Sequence, residues 1–219
     1  MATMPAIITR VRRWSTHTNE TKLPDSEIYD IANDLCSDLI ERYEPWFCQR
    51  STTLSVSAGF CAYALPEISD DTVDMLKKPL DICRIASGTR YDITFLYRHE
   101  FLDKYPYQSA TSAPPDHYMM FGNKLYFGPT PDSAITIYID GYFRPAELED
   151  GVTHNNVVTR FASRWLTFSI LEKLVKYGFE EDVRLGLFQS EIRDALHGIL
   201  GYEKQRENIV RRTVMRRKG

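Results

Sequence analysis

The stretch DHYMMFGNKLYFGPTPDSAITIYIDGYFRPAELED, residues 116–150, decides the fold. Gly122-Asn123 separates the apolar and aromatic runs HYMMF (117–121) and KLYFG (124–128). Both residues of that pair tolerate positive φ, which a two-residue hairpin turn requires. GPTPDS (128–133) follows as a proline-stiffened turn. SAITIYIDGYF then alternates, with Ile135, Ile137 and Ile139 on one face and Thr136, Tyr138 and Asp140 on the other. A strand with one buried side has that period of two. The segment leaves through Arg144-Pro145 into Glu147, Glu149 and Asp150.

Working toward the N-terminus, the period of two continues to about residue 51. STTLSVS (51–57), FCAYALP (60–66), LDICRIAS (80–87) and YDITFLY (91–97) are strand-like runs punctuated by Gly, Pro and Asp. Residues 25–44 change the period. Ile28, Ile31, Leu35, Leu39 and Tyr43 recur at spacings of three and four, with Asp25 as the candidate N-cap and Pro45 as the stop. Before this helix, ITRVRRW (8–14) leads into the polar stretch STHTNETKLP, which reads as a loop.

From about residue 155 the chain is helical again. Val157, Phe161, Leu166, Ile170, Leu174 and Tyr177 supply one apolar residue per turn, and Gly178 is a natural C-cap. A further helix from about Glu180 passes through Val183, Leu187, Ile192, Leu196 and Leu200, weakened locally by Gly186, Gly198 and Gly201. No helix can bury an apolar stripe alone, so the N-terminal helix and the two C-terminal helices must pack together. The expectation is an α+β protein. Residues 1–50 and 151–207 form a discontinuous helical bundle. Residues 51–150 form an inserted, mostly antiparallel β-sheet or small barrel, and 208–219 an extended basic C-terminal tail.

The net charge of −3 conceals an asymmetry. Residues 204–219 hold Lys204, Arg206, Arg211, Arg212, Arg216, Arg217 and Lys218 against the single acid Glu207, a local charge of +6 that leaves −9 on the rest. A basic arm on an acidic body is the pattern of an interaction tail. After residue 207 the amphipathic stripe fades, so the arm is expected to be mobile until a partner orders it. Ile209, Val210, Val214 and Met215 lie among its arginines and suit a protein groove better than bare DNA.

Chemistry is sparse. The sequence holds no GxxxxGK[ST], GxGxxG, HExxH, GxSxG or EF-hand pattern. Cys36, Cys48, Cys61 and Cys83 include no CxxC pair, and no histidine stands at ligand spacing, so neither a metal nor another cofactor is expected. The N-terminus does not read as a secretory leader, so free buried thiols in a reducing cytoplasm are expected, and the sequon Asn19-Glu20-Thr21 is fortuitous. His99-Glu100 and Asp116-His117 come closest to acid–base pairs. Neighbours on a strand point to opposite faces, so Asp116 and His117 are not expected to cooperate. No catalytic residue is assigned. The most apolar run, WLTFSIL (165–171), falls far short of the roughly 20 residues that cross a bilayer.

The order carried by Pro115, Tyr118, Gly122, Asn123, Leu125, Phe127, Pro129 and Pro131, then an alternating strand ending at Tyr142 and Pro145, resembles the head–tail connector or adaptor proteins of tailed bacteriophages. The opening ITRVRRW, the first helix, STTLSVSAGFCAYALPE (51–67) and the two closing helices are similar as well, in the manner of the tail tubular protein A-like adaptors of short-tailed phages. The resemblance implies a structural, non-enzymatic virion protein at the head–tail junction, assembled in the host cytoplasm. It also implies a homo-oligomeric ring, usually of twelve copies, between the portal protein and the tail tube or nozzle protein. Double-stranded DNA would pass through the lumen without sequence-specific binding, and no membrane would be involved. C-terminal segments of such adaptors reach into the portal, which by position gives Ile209, Val210, Arg211, Arg212, Val214, Met215, Arg216, Arg217 and Lys218 a docking role. On the residues alone, a nucleic-acid-binding protein using the basic arm is the alternative, although that arm lacks aromatic residues for base stacking after Tyr202.

Overall fold

The computed structural model describes residues 3–15, 23–70, 73–106, 112–150, 155–177 and 184–217, without the side chains of 68–70 and 202–217. The polar stretch 16–22, the proposed cap Gly178 and the expected helix start at Glu180 and Val183 lie outside the described residues. The chain forms two compact units. One comprises Met1–Cys48, Asp70–Asp74 and Arg144–Gly219, the other Gln49–Ser69 and Met75–Phe143.

The first unit is a helical bundle. Its helices are α1 (Met4–Trp14), α2 (Asp25–Tyr43), α4 (Val157–Phe161), α5 (Ser163–Lys176) and α6 (Leu185–Arg217). Helix α1 is an element that the sequence reading left unassigned. Met4, Ile7, Ile8 and Val11 are buried at spacings of three and four, and α1 packs on α5 and α2. Three arginines in this short run mask the stripe. One of them, Arg12, ion-pairs with Asp25 and donates to the Leu23 carbonyl at 3.2 Å. Asp25 is therefore the first helical residue and the partner of Arg12, while the cap position belongs to Pro24. At the other end of α2, Glu44 takes a left-handed conformation at φ 42°, ahead of Pro45.

Helix α5 is the centre of the bundle, touching α1, α2, α4 and α6. Trp165, Leu166, Ile170, Leu171, Leu174 and Val175 are buried along it. The single helix expected from about 155 is broken at Ala162, where φ −126° and ψ 27° leave the helical region. The break resets the helical phase, so Phe161 is half exposed instead of continuing the stripe. Tyr177, expected at the far end of the same stripe, caps α5 and is also exposed. Among the described side chains of α6, Phe188 and Ile199 are buried, while Leu187 is exposed. The inward stripe runs 185, 188, 192, 195, 199, because Phe188 packs against Phe168 of α5 with ring centroids 6.2 Å apart.

The second unit carries most of two sheets. One has the order β1-β9-β4-β3 with β5 on β4, and the other β2-β8-β7-β6. The strands are β1 (Gln49–Val56), β2 (Ala62–Ala64), β3 (Glu67–Asp70), β4 (Val73–Ala86), β5 (Thr89–Asp92), β6 (Thr94–Phe95), β7 (His117–Phe121), β8 (Lys124–Gly128) and β9 (Ile135–Pro145). The short helix α3 (Arg98–Lys104) packs on β7. The β7–β8 hairpin has the expected bounds, with Gly122 and Asn123 at φ 55° and 56°. Strand β9 buries Ile137, Ile139 and Phe143 and exposes Thr136, Tyr138 and Asp140, as its alternation predicts. It pairs antiparallel with β1, and Gly141 lies so close to β4 that a Cβ would fall 2.7 Å from the Lys78 carbonyl. Most pairings are antiparallel, but β6 runs parallel to β7.

Candidate functional site

Residues Ile209, Val210, Arg211, Arg212, Val214, Met215, Arg216 and Arg217 lie on the backbone of α6, so the C-terminal arm is an extension of that helix. Their side chains, and Lys218 altogether, lie outside the described residues. The root of the arm is anchored on α5. Besides the Phe188–Phe168 contact, Arg164 Nε donates to Glu191 Oε2 at 2.8 Å and Gln189 Nε2 to Glu172 Oε1 at 3.3 Å. Thirty-three residues of helix span about 50 Å at 1.5 Å per residue, so α6 can project a considerable distance from this anchorage. Beside it, a groove of about 400 Å³ is lined by Trp46, Phe47, Phe161 and Trp165 opposite Asp194, Gly198 and Ile199. The α4–α5 break forms its rim, and the Trp46, Phe47 and Phe161 rings pack with centroids 5.2–5.7 Å apart.

Asp116 and His117 do meet, contrary to the expectation from strand alternation. Strand β7 begins at His117, so Asp116 precedes the pleat and its side chain is free to turn back. His117 Nδ1 stands 2.5 Å from Asp116 Oδ1, and the Tyr105 hydroxyl donates to the same oxygen at 2.8 Å. Lys104 Nζ lies 3.0 Å from His117 Nε2. Burial by itself would raise the Asp116 carboxyl. The hydrogen bonds from His117 and Tyr105, with the nearby Lys104 charge, outweigh burial and hold it below the ordinary carboxylate range. Burial, with the bond to Asp116, pushes the Tyr105 phenol well above its usual value. Lys104 meets the imidazole nitrogen that would otherwise face a substrate, so the geometry suits a clip between the end of α3 and the start of β7 better than an acid–base pair. His99 and Glu100 are exposed on α3, where Glu100 Oε2 accepts from the Tyr97 backbone N–H at 3.0 Å and so satisfies a donor at the start of the helix.

No cysteine is in a disulfide; Cys36, Cys48 and Cys83 are buried and Cys61 is partly exposed. Burial pushes the Cys36 thiol up to about 12, against a hydrogen bond from Asn156 that lowers it. Among the described residues no group of three His, Cys, Asp or Glu could hold a metal ion. No described helix is long and apolar enough to cross a membrane.

A surface that the sequence reading did not single out lies on the second unit. Phe95 packs edge-on against Tyr97 and Tyr118, with centroids 5.3 and 5.5 Å apart, and Tyr97 stacks on His99. The guanidinium of Arg98, at the start of α3, sits 4.1 Å over the ring of Phe121 on β7. Phe95, Tyr97, Leu102, Met120 and Phe121 are all exposed. In the sequence the only signal was the run of aromatics at 91–97, which equally suits a core strand.

The family model for the SU10 adaptor protein matches residues 2–217. No curated protein matches the chain.

Proposed function

Since this chain belongs to the SU10 adaptor protein family, we propose that it is a structural head-to-tail adaptor of a tailed bacteriophage. In this reading it is not an enzyme. Twelve copies form a ring between the portal protein and the tail tube or nozzle protein at the head–tail junction of the virion, assembled in the host cytoplasm. Genomic double-stranded DNA passes through the lumen without sequence-specific contacts. The observation that carries the reading is a family match from residue 2 to residue 217, which takes in both compact units and the arm. The likeness to tail tubular protein A-like adaptors supports the finer assignment.

The arm is the portal-docking element of this proposal. Its charge of +6 attracts an acidic partner surface, and Ile209, Val210, Val214 and Met215 give it apolar area to bury between arginines. The −9 carried by the rest of the chain disfavours a broad DNA footprint, which sets this reading above that of a nucleic-acid-binding protein. Deleting 208–219 tests it. The truncated chain is expected to fold normally but to fail to join DNA-filled heads, which then leak their genome. Particles with a normal tail would overturn the docking role. Unchanged attachment together with lost, steeply salt-dependent oligonucleotide binding would favour the nucleic-acid reading.

A further inference from the structure

Helix α6 carries two glycines where its root on α5 gives way to the arm. Three contacts fix the root: Phe188 with Phe168, Gln189 with Glu172 and Glu191 with Arg164. Ile199 is the last buried residue among the described side chains of the helix, and the exposed Gly198 and Gly201 stand on either side of it. A glycine inside a regular element is ordinarily explained by a neighbour too close for a Cβ, as at Gly141. Gly198 and Gly201 are different. A Cβ at either position meets nothing within 4 Å, and neither residue takes a positive φ. Alanine would fit at both and would raise the local helix population about fivefold at each. Neither space nor turn geometry accounts for these glycines. Their effect on the helix itself remains, since they loosen the backbone where sharp helix bends form.

We infer that Gly198–Gly201 is a hinge on which the arm of α6 bends relative to the root held on α5. The surroundings leave room for the bend. The groove of about 400 Å³ lined by Gly198 and Ile199 with Trp46 and Phe161 runs along one flank of the helix. A second groove, of about 240 Å³, runs along another flank, lined by Ile192 and Leu196 with Leu35 and Leu39. Beyond Gly201 the helix continues to Arg217, a run of about 24 Å, so a bend of about 20° displaces its end by about 8 Å. The hinge is read from the helix alone, whereas its use rests on the reading of the arm as a docking element. A hinged arm follows a partner surface without pulling Phe188 away from Phe168.

The test measures distances within α6 in the purified full-length chain. Spin-labelled unnatural residues replace the exposed Arg193 of the root and Asn208 of the arm, and pulsed electron resonance gives their distance distribution. With the native glycines the distribution should be broad and reach well below the straight-helix separation of about 22 Å. Gly198→Ala with Gly201→Ala should narrow it to about half that width around the straight-helix value, and raise rather than lower the melting temperature. Serine at both positions should give an intermediate width, because serine stands between glycine and alanine in helix propensity. Gly186→Ala, ahead of the root contacts, should leave the width unchanged. A narrow distribution with the native glycines overturns the hinge. An equally broad one in the double alanine variant does so too, since the bending then lies elsewhere. Serine narrowing the distribution as fully as alanine also overturns it, because filling of the groove by side-chain volume then explains the effect. Normal attachment to heads after deletion of 208–219 removes the docking reading without touching the hinge.

Discussion

Asn33 and Leu148, 115 residues apart, exchange two hydrogen bonds: Asn33 Nδ2 donates to the Leu148 carbonyl and Leu148 N–H to Asn33 Oδ1, both at 2.9 Å. The side-chain amide of α2 thus satisfies the backbone of the segment that follows β9, at a residue only 2% exposed. Asn33→Leu leaves a buried donor and acceptor without partners, for an expected loss of about 1–3 kcal/mol in chemical denaturation. An unchanged midpoint would show that water replaces the amide.

Asn156 is fully buried and caps α4. Its Oδ1 accepts from Thr159 N–H at 2.9 Å and its Nδ2 donates to the Ala146 carbonyl at 3.0 Å. Asn156→Ala removes the cap and strands both partners. A loss of about 2 kcal/mol or more is expected, larger than for an exposed cap. Asn156→Asp keeps the acceptor but faces the Ala146 carbonyl with a second acceptor, so it should recover only part of the loss.

Gly141 is needed for space. A Cβ there would lie 2.7 Å from the Lys78 carbonyl oxygen and 2.5 Å from Leu76 Cδ1, and the first of these is backbone that cannot swing aside. Gly141→Ala should push β9 from β4 and cost about 1–3 kcal/mol, measured as a lower melting temperature.

The thiols should differ in reactivity. With Cys36, Cys48 and Cys83 buried and the Cys36 thiol raised to about 12, a disulfide reagent at pH 8 should label Cys61 first in the folded protein. All four react after unfolding. Rapid labelling of Cys36 in the native state would contradict its burial among α2 and the α4 cap.

The clip at Asp116 sets a pH dependence. Its carboxyl lies below the ordinary range in the folded state, so its contribution is complete above about pH 4 and is lost as pH falls through the lowered value. The carboxylate is more than half exposed, so the effect is screened and stays below about 1 kcal/mol. Asp116→Asn should flatten the acid limb of a stability profile between pH 5 and pH 2, roughly the carboxylate range. An identical limb would assign it to other carboxylates.

What the sequence determined by itself is what depends on near neighbours. Gly122-Asn123 specifies the β7–β8 hairpin through its own φ angles, Ile135, Ile137 and Ile139 orient β9, and Ile28 to Leu39 draw the stripe of α2. The helical bundle and the β insertion follow from those periods. Tertiary structure decided what depends on distant partners. Helix α1 becomes recognisable once Asp25 and Leu23 take up Arg12 and once its apolar stripe meets α5. The phase of α6 is chosen by Phe168, and the break at Ala162 belongs to no glycine or proline signal. Asp116 turns toward His117 because Tyr105, eleven residues earlier, lies across both. The division of the nine strands among the described residues into two sheets rests on pairings such as Gln49 with Tyr142, 93 residues apart. Loop closure over such distances is favoured by the collective burial of a core, and no local run of residues encodes that total.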